Sequence, residues 1–277
     1  MSDAVFPPLP LAEWRPTRDT LHRYARVLGD IRRSLAPYQK HSWHSALHVS
    51  ATGLTTTPIP AGGFTFEMAL DFTAHELVVT ASQSRGQVWR QGLNGQSPAA
   101  FCETTLAHLA GLGVHPQIDR SPFADTPAGS YDAAAVERFW QALSQIDAVL
   151  KQFKGEQRRE TGPVVMWPHG FDIAVLWFSG RLIPGQDPRR ASRSDEQMNF
   201  GFSTGTDDIG DPYFYATAYP APDGFIGGPL PAGAVWHTAT WKGALLRYEA
   251  LAGKDDAAGS LLEFFRATHK LGSELMK

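Results

Sequence analysis

Pro163-Val-Val-Met-Trp-Pro-His-Gly-Phe-Asp-Ile-Ala-Val-Leu-Trp-Phe-Ser-Gly180 is the longest apolar run in the chain, and it carries a histidine and an aspartate at its mouth. From Phe171 to Phe178 both alternate faces are apolar except at Asp172, with Pro168-His169-Gly170 and Ser179-Gly180 as boundaries. The pattern predicts a central β-strand buried on both sides. A carboxylate on an otherwise apolar face must be paired or lie at a rim. His169 and Asp172 therefore mark where chemistry is to be sought, and Arg181, His169 and Lys242 are candidate partners of the aspartate.

Working outward, a helix precedes this strand, and an earlier helix resembles it. Leu21 to Leu35 aligns without a gap on Val136 to Leu150: Arg23 meets Arg138, Tyr24 meets Phe139, Leu28 meets Leu143 and Ile31 meets Ile146. The first helix is expected to start at a Thr17 N-cap. Strands are predicted at Trp43 to Ser50, Phe64 to Phe72, His75 to Ser82 and Gln87 to Gln91, then a helix from Ser97-Pro98 to about Leu112. After the second helix the order recurs, with strands at Phe171 to Phe178, Glu196 to Thr204, Tyr213 to Tyr219 and Trp236 to Leu246, and a helix at about Asp256 to Met276. The fold class is thus α+β: two similar halves, each a helix, a four-stranded antiparallel meander and a helix, related by internal duplication and a pseudo-twofold. The expected division is an arm at 1–16, a first half at 17–120, a linker at 121–130 and a second half at 131–277.

Composition bounds the function. The 277 residues are 43% hydrophobic and 19% charged with net charge −3, an ordinary globular balance. Lys and Arg are scattered apart from Arg158-Arg159 and Arg189-Arg190 with Arg193, so nucleic acid is not an expected partner. No run of 18 apolar residues and no leader pattern occurs, so neither a membrane nor secretion is expected. The single Cys102, inside a predicted helix, points to a small buried thiol in a reducing cytoplasm.

Trp43-His44, Gly53-Leu-Thr-Thr-Thr-Pro-Ile-Pro60, Phe66-Glu67, Tyr131-Asp132, Arg138-Phe139-Trp140, Phe171-Asp172, Phe178-Ser-Gly180 and Tyr213-Phe-Tyr-Ala-Thr-Ala-Tyr-Pro220 carry a resemblance. Together they resemble an uncharacterised bacterial family catalogued as a domain of unknown function. The resemblance spans nearly the whole chain and implies membership without an activity, so no catalytic residue is carried over.

Several constellations remain. His44, His169 and His237 each follow a tryptophan near a strand start, and with Glu67, Glu196 or Asp172 they make a candidate set for zinc or iron. Histidines capping strands on a half-exposed face are the competing reading, since no compact ligand motif is present. Gly201-Phe-Ser-Thr-Gly205 fits Gly-x-Ser-x-Gly, which makes a serine hydrolase through Ser203 a remote alternative; the Asp-rich turn that follows, in place of a helix, speaks against it. No glycine-rich phosphate cradle occurs, so no nucleotide cofactor is expected. The Tyr213 to Tyr219 strand sets Tyr213, Tyr215, Thr217 and Tyr219 on one face, near Trp177, Trp236 and Trp241, as either an aromatic cavity wall or a core edge. Pro220 to Gly233 is read as a lid or as an insertion packing its own tip.

The sequence therefore points to a cytoplasmic protein binding a small molecule, with a His/Asp/Glu pocket at the junction of the halves. In an enzyme, His169 and Asp172 form an acid/base pair. Glu67, Trp177, Glu196, Asn199 and Tyr215 are the candidate pocket residues. The alternative is a non-catalytic binding or self-association module with a Tyr/Trp surface.

Overall fold

Helices and antiparallel sheets make up an α+β fold in the computed structural model, which describes residues 6–187 and 191–276. Residues 188–190 of the Arg-rich connection singled out above lie outside it. The chain divides into two units, one of Trp14–Trp140 with Val165–Phe171 and one of Met1–Glu13, Gln141–Val164 and Asp172–Lys277. The stretch 121–130 lies inside the first unit and is tied there, with Gly129 N donating to Gly95 O at 2.8 Å and Ser130 N to Thr20 Oγ1 at 3.1 Å.

α1 (Leu11–Leu35) begins among the residues of the second unit and enters the first at Trp14, where it is followed by β1 (His48–Val49), β2 (Gly53–Thr55), β3 (Ile59–Ala61), β4 (Phe64–Asp71), β5 (Glu76–Ala81), β6 (Val88–Gly92) and α2 (Pro98–Gly111). The sheet runs β1-β2-β4-β5-β6 with β3 on β4. Alternation places Phe66, Met68 and Leu70 on the buried face, with Phe72 just beyond the strand, and Glu67 and Asp71 half-buried on the other. From α1, Leu21, Tyr24, Val27, Leu28 and Ile31 are all fully buried, as helical spacing requires. Ser97 caps α2 by accepting from Ala100 N, and Pro98 fills its first turn.

Two expectations fail here. The helix begins at Leu11, not after a Thr17 cap: Leu11 N donates to the Asp211 carboxylate at 3.1 Å, while the Thr17 hydroxyl accepts from Asp132 N. Trp43 to Ser50 is not one strand either. Residues Lys40–Ser45 form a 3-10 turn, with His41 and Ser42 left-handed at φ 56° and 60°, and the strand itself is cut back to His48–Val49. The cause is Arg32, buried on α1, whose Nη1 donates to Trp43 O and Ala46 O at 2.6 Å each and gathers that backbone into a turn.

Ahead of the predicted Phe171 to Phe178 strand, a separate short strand in this unit, β7 (Val165–Trp167), was not foreseen; there Leu47 and Met166 exchange backbone hydrogen bonds at 2.9 and 2.8 Å. Phe171 follows at φ 50°, strained for a bulky residue. Its ring is fully buried, 5.4 Å from His22 and 5.5 Å from Phe139, which offsets that cost.

α3 (Ala133–Gly155) leads into the second unit, with β8 (Asp172–Leu182), the short α4 (Ala191–Ser194), β9 (Asp195–Ser203), β10 (Tyr213–Tyr219), β11 (Ala234–His237), β12 (Gly243–Arg247) and α5 (Ala257–Leu275). Its strands run β11-β12-β10-β9-β8. Ile173, Val175, Trp177, Met198, Phe200, Phe202 and Phe214 share one buried face. Phe153 of α3 packs 4.7 Å from Phe200, and Phe265 of α5 edge-on to Phe214. Trp236 to Leu246, expected as one strand, is the β11–β12 hairpin. Thr240 in its turn is held by its hydroxyl to the Asp208 carboxylate. In the Pro220 to Gly233 connection Phe225 is fully buried, 5.1 Å from Trp236, whose indole donates to Gly228 O at 2.9 Å. Among the described residues no helix is long and apolar enough to cross a membrane.

Candidate functional site

Three predicted residues come together on the other face of the second unit's sheet. The registers Ala174↔Gly201 and Tyr215↔Gly201 put Tyr215 two strands from β8 with only glycine between. A Cβ at Gly201 would lie 2.5 Å from Tyr215 Oη and 2.6 Å from Ile173 O. The tyrosine therefore leans across β9, and its hydroxyl donates to Asp172 Oδ2 at 2.5 Å. Asp172 keeps some exposed surface, yet protein crowds the carboxyl, and this burial pushes its pKa up to about 6 against the Tyr215 hydrogen bond and its own backbone amide. Among the described residues no cation offsets the burial. Burial first, and then the Asp172 charge, raise the Tyr215 phenol well above its ordinary value, and hydrogen bonding from the Asn199 side chain pulls the other way. Asn199 Oδ1 is buried with no hydrogen-bond partner among the described residues.

An aromatic wall adjoins this pair. Trp241 stacks on Tyr213 at 6.0 Å, meets Tyr215 edge-on at 6.4 Å and lies 4.5 Å from His237. His237 Nε2 is 3.2 Å from Thr240 Oγ1 and 3.9 Å from the Asp208 carboxylate. Asp208 also accepts from Thr206 at 2.6 Å, and these hydroxyl bonds hold its pKa low.

The other predicted residues have separate surroundings. His169 Nε2 lies 3.8 Å from Asp30, while Asp172 is bonded to Tyr215, so the proposed acid/base pair has two different sets of partners. His44 is buried, with Nδ1 accepting from Gln39 N at 3.3 Å, and Glu67 accepts from the Thr55 hydroxyl. Trp177 and Asp172 point to opposite faces of β8, and Glu196 pairs with Arg181 at 2.8 and 3.0 Å. Among the described residues no three His, Cys, Asp or Glu form a group able to hold a metal, so His44, His169 and His237 do not make one. Ser203 ends β9, is buried, and is followed by a turn into antiparallel β10; there is no nucleophile elbow.

Sequence reading missed His22 and Asp30. His22 Nε2 donates to the His169 carbonyl at 3.0 Å, and burial lowers its pKa to about 4. Asp30 is buried with Oδ1 3.5 Å from Arg33. Their signal was the spacing of His22, Arg26 and Asp30 along one helical face.

No curated protein and no solved structure matches the chain. A family model does match, over residues 6–277, and with that coverage the chain belongs to DUF5996, a family of unknown function.

Proposed function

We propose that the protein binds a small molecule on the face of Asp172, Asn199 and Tyr215, with Asp172 as the group that accepts a proton. The observation that carries this reading is the 2.5 Å bond from Tyr215 to a carboxyl that no cation among the described residues accompanies. The single proton of the Tyr215 hydroxyl goes to Asp172, and beside that bond Asn199 Oδ1 is a buried acceptor with no hydrogen-bond partner among the described residues. A ligand carrying N–H or O–H donors supplies what the face lacks, and the half-buried Trp241, backed by the buried Tyr213 and Tyr215, offers it ring surface. A carboxyl with pKa near 6 also suits proton transfer at neutral pH, which keeps an enzymatic use within the same reading. A cytoplasmic setting belongs to the proposal, supported by the single buried Cys102, whose thiol burial raises to about 11; cell fractionation tests it.

The test is a fragment screen by NMR on isotope-labelled protein, following the Asn199 side-chain amide and the Trp241 indole. Nitrogen-bearing fragments are expected to move both, and Asp172→Asn to abolish the effect with folding intact. Fragments that bind elsewhere, or equally well in the Asn variant, contradict the reading.

A further inference from the structure

On the opposite face of the same sheet a cleft of about 550 Å3 is lined by residues that include Glu156, Arg158, Arg159, Trp177, Arg266, His269 and Glu274. That volume is within the range of small-molecule pockets. Its cations are not equally engaged. Arg266 forms a bidentate pair with Glu156, Nε to Oε2 at 2.8 Å. Arg159 donates to the Ser179 carbonyl and lies 5.9 Å from the Trp177 ring centroid, contacts that fix the guanidinium, and its nearby carboxylate Glu196 is already paired with Arg181. Arg158 is exposed and makes no hydrogen bond or ion pair among the described residues. Against these two arginines the lining offers one carboxylate outside the Arg266 pair, that of Glu274.

The cleft also has a polar group in its floor. His269 sits edge-on to Trp177 at 4.8 Å, and its Nε2 is buried without a hydrogen-bond partner among the described residues. Burial lowers its pKa to about 4, so at neutral pH the ring is uncharged and retains one N–H. A buried polar atom left unmade is costly, and a ligand that brings this ring nitrogen a hydrogen-bond partner relieves it.

We propose that this cleft is a second binding site, for a small organic anion whose carboxylate or phosphate oxygens sit between Arg158 and Arg159 and whose body covers the His269–Trp177 floor. Planar guanidinium donors suit both kinds of oxyanion. The site stands independently of the Asp172 face, because Trp177 and Asp172 lie on opposite sides of β8.

The experiment is calorimetric titration of the full chain with benzoate and with phenyl phosphate, benzamide serving as the neutral comparison, and with the His269 imidazole resonances as the local reporter. At least one anion is expected to saturate and to move His269, whereas benzamide does neither. Arg158→Ala and Arg159→Ala each weaken that anion by about tenfold, and Arg159→Lys by less, with unchanged circular dichroism. The proposal is overturned if neither anion moves His269, if benzamide binds as well, or if both alanine variants bind like the wild type. Which anion saturates distinguishes a carboxylate from a phosphate ester.

Discussion

The Tyr215 hydroxyl reaches Asp172 Oδ2 at 2.5 Å by crossing over Gly201, so a bond between β10 and β8 depends on a residue of β9 having no side chain. Gly201→Ala would place a Cβ 2.5 Å from Tyr215 Oη and 2.6 Å from the Ile173 carbonyl. The backbone contact cannot yield cheaply, and a loss of about 1–3 kcal/mol in chemical denaturation is expected. Double substitution with Tyr215→Phe recovers little of it, because the Ile173 carbonyl remains in the way.

Tyr215→Phe removes a hydrogen bond that favours the charged carboxylate. The Asp172 pKa is therefore expected to rise above its value of about 6. Carboxyl 13C titration reads this directly; an unchanged or lower value contradicts the assignment.

Asp172 also sets a pH dependence of stability. Its folded pKa, about 6, lies above the ordinary 3.8, so the folded state holds the proton more tightly. The stabilisation is complete below the ordinary value and is lost as pH rises through about 6, roughly 3 kcal/mol in all. His22 and His269 act in the opposite sense. With pKa lowered from 6.5 to about 4, each contributes stability that is present above 6.5 and lost as pH falls through about 4. Only the wild type minus Asp172→Asn difference isolates the aspartate. In urea melts the Asn variant, whose amide oxygen still accepts from Tyr215, is expected to gain on the wild type between pH 4 and pH 7.5. Asp172→Ala, which strands the buried hydroxyl, is expected to lose about 1–3 kcal/mol at acid pH.

Arg32 holds the Lys40–Ser45 turn through two 2.6 Å bonds to Trp43 O and Ala46 O. Arg32→Ala is expected to cost about 2–4 kcal/mol and to raise amide exchange across 40–47 before the rest of the first unit opens. Uniform exchange along the chain would refute that local role.

The parts of the fold that follow from period were legible in the sequence. The buried face of β4 and the buried stripe of α1 follow from spacing of two and of 3.6 residues. Asp172 was visible as a lone charge in an apolar run. Its partner was not, because Tyr215 lies 43 residues away and reaches it through two antiparallel registers, which alternation does not fix. Trp177 was grouped with Asp172 although period two already sends the pair to opposite faces. The Trp43 to Ser50 strand failed for another reason: alternation describes a stretch in isolation, whereas a buried guanidinium from α1 captures its carbonyls.

The most direct test of the ligand-binding face is the Asp172 carboxyl 13C titration, run without ligand and with a nitrogen-bearing fragment that moves the Asn199 amide. The account predicts a pKa near 6 in the free protein, falling when a donor or cation sits beside the carboxylate. An ordinary value near 3.8 in the free protein, or a pKa that no bound fragment shifts, would contradict it.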